Sequence, residues 1–403
     1  MLTLEEASAR LWAAIRSPTD RQFVDVQACS GRFLSEAPLS SVDLPPFDNS
    51  AMDGWAVRSA DVKTVPTCLT IQGRVAAGGV FSGTLLPGMA IRIFTGSPLP
   101  VGADAVVMQE DSQLVDSGKV QILDSAKPWE NVRLRGEDVR IGAPLMPAGS
   151  RLGAAQIALL AATGLKLVPV RPPIRVGILP NGSELVSPGE VLPPGGIYES
   201  NGATLAELVT SAGAVVERHA PPPDDLTALT SALAHAFGSA DVVITAGGAS
   251  VGEHDLVKPA FEALGGTIEF WRVALKPGKP FFFGTLPPAP GAIPKYLFGV
   301  PGNPVSAFVT TILLVLPALR KLLGANDFSG THHPAILAES VSNPEGRRHF
   351  MRVHCQKDGQ VRSSGPQGSH LLSSLAHANA LIDVPPHTQW PAGTSVQVLR
   401  WGT

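Results

Sequence analysis

The stretch DVVITAGGASVGEHD, residues 241–255, sets the frame for the whole chain. Its first half is a short apolar run, as expected of a strand buried on both faces of a parallel sheet. Gly247, Gly248 and Gly252 follow. They let the backbone adopt dihedrals closed to other residues and aim several N–H groups at one anion. The loop is neither a GxGxxG fingerprint nor a Walker A sequence, so taken alone it reads equally as an ordinary glycine-rich turn. Outward from it, IRVGIL, AVVERHA, TIEFWRVAL and YLFGV are further buried strands. They alternate with helical patterns at ATLAELVTSAG, DLTALTSALAHAFG, DLVKPAFEALG and 305–319. That alternation predicts a doubly wound parallel α/β sheet, with ligands bound beyond the carboxyl ends of its strands.

The flanking regions differ in character. Thr3 with Glu6 forms a capping-box pattern, and Ala7, Leu11 and Ile15 fall on one face of the helix it opens. Residues 46–142 read as short strands divided by glycines: TCLTIQG, MAIRIFTG, ADAVVMQED and KVQIL. LGAAQIALLAATG, 152–164, is a helix ended by Gly164. It has no core of its own and is expected to pack with the N-terminal helix. Short strands return toward the C-terminus, separated by Gly, Pro and His. The apolar run VSAFVTTILLVLPAL, 305–319, is short for a membrane span and contains Pro317, which predicts a buried helix.

Bulk properties narrow the function classes. With 403 residues, 44% hydrophobic and 16% charged, the chain is expected to form several domains with large cores. A net charge of −3 without a long basic run argues against general nucleic-acid binding. Cys29, Cys68 and Cys355 form no CxxC pair, so neither a disulfide framework nor a structural zinc site is predicted. The acidic N-terminus does not read as a signal peptide, and a cytoplasmic protein is expected.

Several loops carry candidate chemistry. KPGKP, 276–280, places Lys276 and Lys279 around a Pro-Gly turn, so both ammonium groups can point to one side. GVPGNPVSA, 299–307, opens the apolar helix, with Asn303 as N-cap and Pro304 near the helix start. Acidic candidates are Asp48 and Asp53 in PPFDNSAMDGWAV, Glu137 and Asp138 in RLRGEDV, Glu184 in LPNGSEL, Asp241 and Asp255. Each alone reads as a turn or cap residue. Together with anion-friendly loops they point to Mg²⁺ bridging a phosphorylated substrate. The absence of HExxH and GxSxG motifs leaves zinc-protease and serine-hydrolase chemistry without support.

These motifs, with PQGSHLLSSLAHANAL, occur in the order seen in the MoeA family, which includes the gephyrin E domain, and the chain resembles that family over nearly its whole length. The resemblance implies a multi-domain elongated chain, α/β plus β. Residues 1–45 and 143–171 would form a discontinuous N-terminal helix-containing domain and 46–142 a β-rich inserted domain. Residues 172–325 would be a doubly wound molybdopterin-binding α/β domain and 326–403 a small C-terminal β-barrel. The implied activity is a molybdenumtransferase of molybdenum cofactor biosynthesis. Molybdopterin-AMP and molybdate are consumed with Mg²⁺, yielding the cofactor and AMP.

By motif, Asp53, Asp138, Glu184 and Asp241 match the family's functional acidic positions, with Asp53, Glu184 and Asp241 as the metal-holding set. Gly247, Gly248, Ser250, Gly252, Lys276, Lys279, Pro301, Gly302, Asn303 and Pro304 match its substrate pocket, with Ser373 or Ser374 from its serine motif. The resemblance also implies a homodimer whose active site is shared, leaving open which subunit supplies Asp53, and other cofactor-maturation proteins as partners. The family's TGDEL reads NGSEL here, which removes one carboxylate beside Glu184. The alternative function is a catalytically weakened binding or scaffolding member of the family.

Overall fold

The computed structural model describes residues 1–76, 78–248, 256–288 and 293–401. Its α/β domain is a six-stranded sheet. In chain order the strands are β1 (Arg175–Pro180), β2 (Val215–Arg218), β3 (Val242–Ala246), β4 (Thr267–Trp271), β5 (Phe282–Leu286) and β6 (Lys295–Val300). The spatial order is β2-β1-β3-β6-β5-β4. The first four in that order run parallel, and β5 is antiparallel to both neighbours. The helices are α1 (Asn201–Ser211), α2 (Leu226–Ser239), α3 (Val257–Ala263) and the run Pro304–Leu322, here α4.

Strand alternation sorts the side chains onto two faces. Val242, Ile244, Tyr296 and Phe298 pack with Leu205, Val209, Val309 and Leu319 of α1 and α4. Val243 and Leu297 pack on the other face with Leu233 and Phe237 of α2 and Phe261 of α3. The sheet is therefore doubly wound, as the sequence predicts. One strand escaped the sequence reading: Phe282–Leu286 begins two residues after Pro280 and returns antiparallel beside β6.

Most of α4 is buried in this core, although its length and apolarity would suit a membrane span. Its middle turn, Thr311–Val315, is π-helical. The widening comes just before Pro317, whose ring would clash with the carbonyl four residues earlier in a regular helix.

The Thr3–Glu6 capping box closes in both directions, at 2.9 and 3.1 Å. The helix it opens, Leu4–Ala14, does not pack on Ala154–Ala162 as expected. Its Ala7 and Leu11, with Ile15 just beyond, join the α/β core. Leu160 instead packs with Cys29, Leu34 and Val168, and strand Gln22–Asp25 pairs antiparallel with Leu167–Val170.

Residues 46–142 hold a second six-stranded sheet, in the order 105–108, 54–57, 89–93, 67–74, 119–122, 112–116. The chain enters and leaves this unit side by side. Leu44 N–H donates to Val139 O at 2.7 Å, Ser40 N–H to Ala143 O at 2.9 Å and Leu145 N–H to Pro38 O at 2.9 Å. This forms a two-stranded neck. Near the C-terminus, strands 348–355, 360–363, 332–337, 395–400 and 380–384 pair in that order, and the last pairs back onto the first. The result is a closed barrel.

Candidate active site

The candidate residues fall into two groups of loops, and the first lies on the 46–142 unit. Asp53 Oδ1 accepts hydrogen bonds from the Thr95 N–H and the Thr95 hydroxyl, each at 2.8 Å. The Thr95 N–H first, then its hydroxyl, with the Arg92 guanidinium beyond, hold the Asp53 carboxyl below the usual range. It is ionised at neutral pH. Gly54 follows because the backbone here presses on the next strand: a Cβ at 54 would lie 1.9 Å from Val107 O. Asp48 Oδ1 accepts the Arg135 N–H at 2.7 Å, and Asn49–Ser50 pair antiparallel with Val132–Arg133. Asp48-Asn49-Ser50 thus stitches the Asp53 loop to the loop carrying Asp138. The Asp138 side chain is exposed, and its N–H donates to Leu44 O at 3.1 Å.

The second group gathers at the carboxyl ends of β1, β3 and β6. Asn181 N–H donates to Ala246 O at 2.8 Å and Gly247 N–H to Val300 O at 3.1 Å, lacing three strand ends together. Gly247 and Gly248 have φ of +95° and +65°. A Cβ on either would strike Asn181, at 2.4 Å from its carbonyl oxygen or 2.9 Å from its Nδ2. Only glycine fits. A Cβ on Gly302 would lie 3.6 Å from Gly247 Cα, and Asn201 Nδ2 donates to Gly302 O at 2.8 Å. The GG and PGNP loops therefore share one cleft. Asn181 Oδ1, Asn201 Oδ1 and the Thr245 hydroxyl are buried there without a partner among the described residues.

Glu184 is exposed beside this cleft, its carboxylate folded over Gly182. Asp224, exposed, accepts the Ser183 N–H at 3.1 Å. Two carboxylates thus flank one loop. The KPGKP turn sits on α4, since a Cβ on Gly278 would lie 2.4 Å from Thr310 Cγ2. Lys276 Nζ meets Glu345 of the barrel at 2.5 Å, while Lys279 is exposed and has no ion pair among the described residues. At the start of α4, Val305 N–H donates to Ser369 O at 3.2 Å.

Three family descriptions match in series: the MoeA N-terminal region (domains I and II) over residues 2–164, a probable molybdopterin-binding domain over 177–321 and the MoeA C-terminal region (domain IV) over 334–401. A Haemophilus influenzae protein named molybdopterin molybdenumtransferase is 38% identical, covering 95% of this chain and 94% of its own. The chain belongs to the MoeA family. A Mycobacterium tuberculosis protein named molybdopterin molybdenumtransferase 2 is 41% identical over 93% of this chain and 94% of its own. The crystal structure of a molybdopterin biosynthesis moeA protein from Pyrococcus horikoshii OT3 superposes with a TM-score of 0.87 at 30% identity, covering 100% of both chains.

Measured against the residues expected for a MoeA chain, the structure gathers Gly247, Gly248, Gly302 and Glu184 in one cleft and departs elsewhere. Asp241 precedes β3 and so stands at the opposite end of the sheet, about 17 Å away at strand rise. Its Oδ2 accepts the Arg175 N–H at 2.9 Å, which ties two strands together. Asp224 is the carboxylate that reaches Ser183. The signal was its place: PPPDDL leaves the carboxyl end of β2.

Asn303 has extended N-cap geometry, but its side chain caps nothing. Pro301 is buried and Pro304 opens α4. Lys276 and Lys279 do not act as a pair, because Glu345 engages the first. Ser374 is buried, accepting from Arg352 Nε at 3.1 Å and donating to Leu371 O at 2.9 Å, so Ser373 is the exposed serine. Ser250 and Gly252 lie outside the described residues. Among the described residues no hydrogen bond or ion pair joins 46–142 to 172–325, so none links Asp53 or Asp138 to Glu184 within one chain.

Proposed function

We propose that this MoeA chain inserts molybdenum from molybdate into adenylylated molybdopterin with release of AMP, and that two copies share each active site. The observation that carries the reading is the laced cleft at the strand ends. Backbone from Gly247 and Gly302, buried amide oxygens and two carboxylates converge where an open α/β sheet binds ligands.

The chemistry follows from charge. Both substrates are anions, so carboxylates alone would repel them. A hard divalent cation held by Glu184 and Asp224 suits the all-oxygen donor set present here. When bound, Mg²⁺ neutralises and polarises phosphoryl oxygens. Lys279 supplies a positive charge not already paired with a carboxylate, and the glycine backbone supplies N–H donors that need no reorganisation. Asp53, ionised and fixed by Thr95, serves as acceptor and cation ligand rather than as an acid, and acts with Asp138 in metal transfer. Because these two stand on a unit that, among the described residues, makes no hydrogen bond to the cleft of its own chain, a second copy brings them to it. Three thiols without disulfides suit the reducing cytoplasm.

The test is an assay with purified protein, molybdopterin-AMP, molybdate and Mg²⁺. AMP release together with cofactor that reactivates an apo-molybdoenzyme supports the reading; a protein that binds substrate yet releases no AMP sinks it. Asp53→Ala mixed with Glu184→Ala should recover about a quarter of wild-type activity on random subunit exchange. No recovery at any ratio would overturn the shared site.

A further inference from the structure

We infer that Glu217, His219 and His235 form a second metal site, apart from the cleft, that takes one divalent transition-metal ion of the zinc class. Glu217 and His219 stand two residues apart on edge strand β2 and its extension, so their side chains point to one side. That side faces α2, which carries His235. One ligand atom from each residue lies within 4.8 Å of the others. The two imidazoles meet edge to face, with centroids 5.8 Å apart.

The surroundings are those of a coordination site rather than a chance surface cluster. His219 Nε2 is buried and has no hydrogen-bond partner among the described residues. The neighbouring strand leaves room for the ring at Gly177, where a Cβ would come within 3.1 Å of Nε2. Ser239 Oγ donates to Glu217 Oε2 at 2.7 Å, the kind of outer partner that orients a ligating carboxylate. Arg175 is a neighbouring cation that competes for the Glu217 carboxylate. None of these groups serves the cleft, because Glu217 pairs with Gly177 halfway along β1, while the cleft begins beyond Pro180.

The donor set selects the ion. Two imidazole nitrogens and one carboxylate oxygen suit zinc, nickel or copper, whereas magnesium prefers oxygen alone. Three protein ligands leave one tetrahedral position for water or an external ligand. Bonds of about 2.0–2.2 Å place tetrahedral ligand atoms roughly 3.4 Å apart, so the three, now within 4.8 Å of one another, must draw in by up to about 1.4 Å. Glu217 and His235 are exposed, and side-chain rotation supplies that movement. A bound ion would tie the edge strand to its crossover helix and fix the start of the segment that carries Asp224.

The test uses the full-length protein, stripped with a chelator and titrated calorimetrically with Zn²⁺ in excess Mg²⁺. The expected result is one Zn²⁺ per chain in the wild type and equally in Asp53→Ala. His235→Asn and Glu217→Gln, both at exposed positions, should each lose at least about tenfold in affinity while keeping the metal-free melting temperature of the wild type. Ser239→Ala should lose about tenfold, as outer-shell changes do. In Co²⁺-loaded protein the visible absorption band should vanish in His235→Asn. The proposal is overturned if the wild type takes up no zinc at that stoichiometry. It is equally overturned if both single variants bind as tightly as wild type, which would place the zinc elsewhere, such as at His332 and His333.

Discussion

Gly54→Ala offers the sharpest test of how the Asp53 loop is built. The new Cβ would lie 1.9 Å from Val107 O, 2.9 Å from Val107 C and 3.1 Å from Met108 Cα, all backbone atoms. An ordinary carbon–oxygen contact needs roughly 3.3 Å, so something must move by about 1.4 Å. Strand 54–57 cannot retreat, because it is hydrogen-bonded to 105–108 on one side and to 89–93 on the other. Overpacking against fixed backbone costs about 3 kcal/mol. In a unit of roughly 100 residues that lowers the midpoint by about 12 °C or more. Gly88→Ala is the control: φ there is +73° and a Cβ meets nothing within 4 Å, so only the left-handed penalty of about 1–2 kcal/mol applies. Calorimetry gives the two midpoints, and hydrogen exchange at amides 54–57 and 105–108 locates the damage. A Gly54→Ala protein that melts no lower than Gly88→Ala would refute the steric reading. It would also remove the reason for a glycine next to Asp53.

Further predictions rest on single contacts. His349 is buried, its Nε2 has no hydrogen-bond partner among the described residues, and burial first, then the Lys276 ammonium, lower its pKa from 6.5 to about 4. Between pH 6.5 and about 4 the unfolded chain takes up a proton that the folded chain refuses. Stability should therefore fall across that window and level off below it, and His349→Gln should flatten the slope; an unchanged slope in chemical denaturation refutes the assignment. Ser374→Ala strips Arg352 Nε of its acceptor beside an already unpaired buried nitrogen, and should cost about 1–3 kcal/mol. Ser373→Ala should leave urea midpoints unchanged, and equal effects of the two would contradict the burial difference. Asp53→Ala should keep molybdopterin-AMP affinity while losing metal insertion, and loss of both in equilibrium binding would show a folding role instead.

Legibility in the sequence followed the range of the interaction. The strand 242–246, the capping box at Thr3 and the glycine loop depend on neighbours in the chain, and each could be read there. Long-range choices could not. Helix 4–14 shows an apolar face, but nothing local says that the face belongs to the α/β core rather than to helix 154–162. Phe282–Leu286 adds an antiparallel strand to a sheet whose other connections predict parallel ones. The site residues divide in the same way. Gly247 and Gly302 were legible because backbone proximity demands them. Asp241 matched a pattern of residue type, yet its position before a strand sends it to the far end of the sheet. Asp224 was overlooked for the converse reason: an acidic pair after three prolines reads as a helix cap, which Asp225 indeed supplies to Ala228 N–H.

The neck between residues 38–44 and 139–145 has a consequence for how such a protein can change. Entry and exit of the 46–142 unit are hydrogen-bonded to each other, and among the described residues the unit makes no hydrogen bond to the sheet that holds the cleft. It is topologically a cassette. Cutting the chain at residues 43 and 140 and joining the ends across one ladder rung removes Asp53 and Asp138 without opening either remaining core. The unit carrying Asp53 and Asp138 can therefore drift, be exchanged between relatives or be lost independently of the cleft. If two copies share each active site, as proposed above, a chain that had lost the cassette would keep its cleft and still occupy a neighbour, and so would inhibit intact copies.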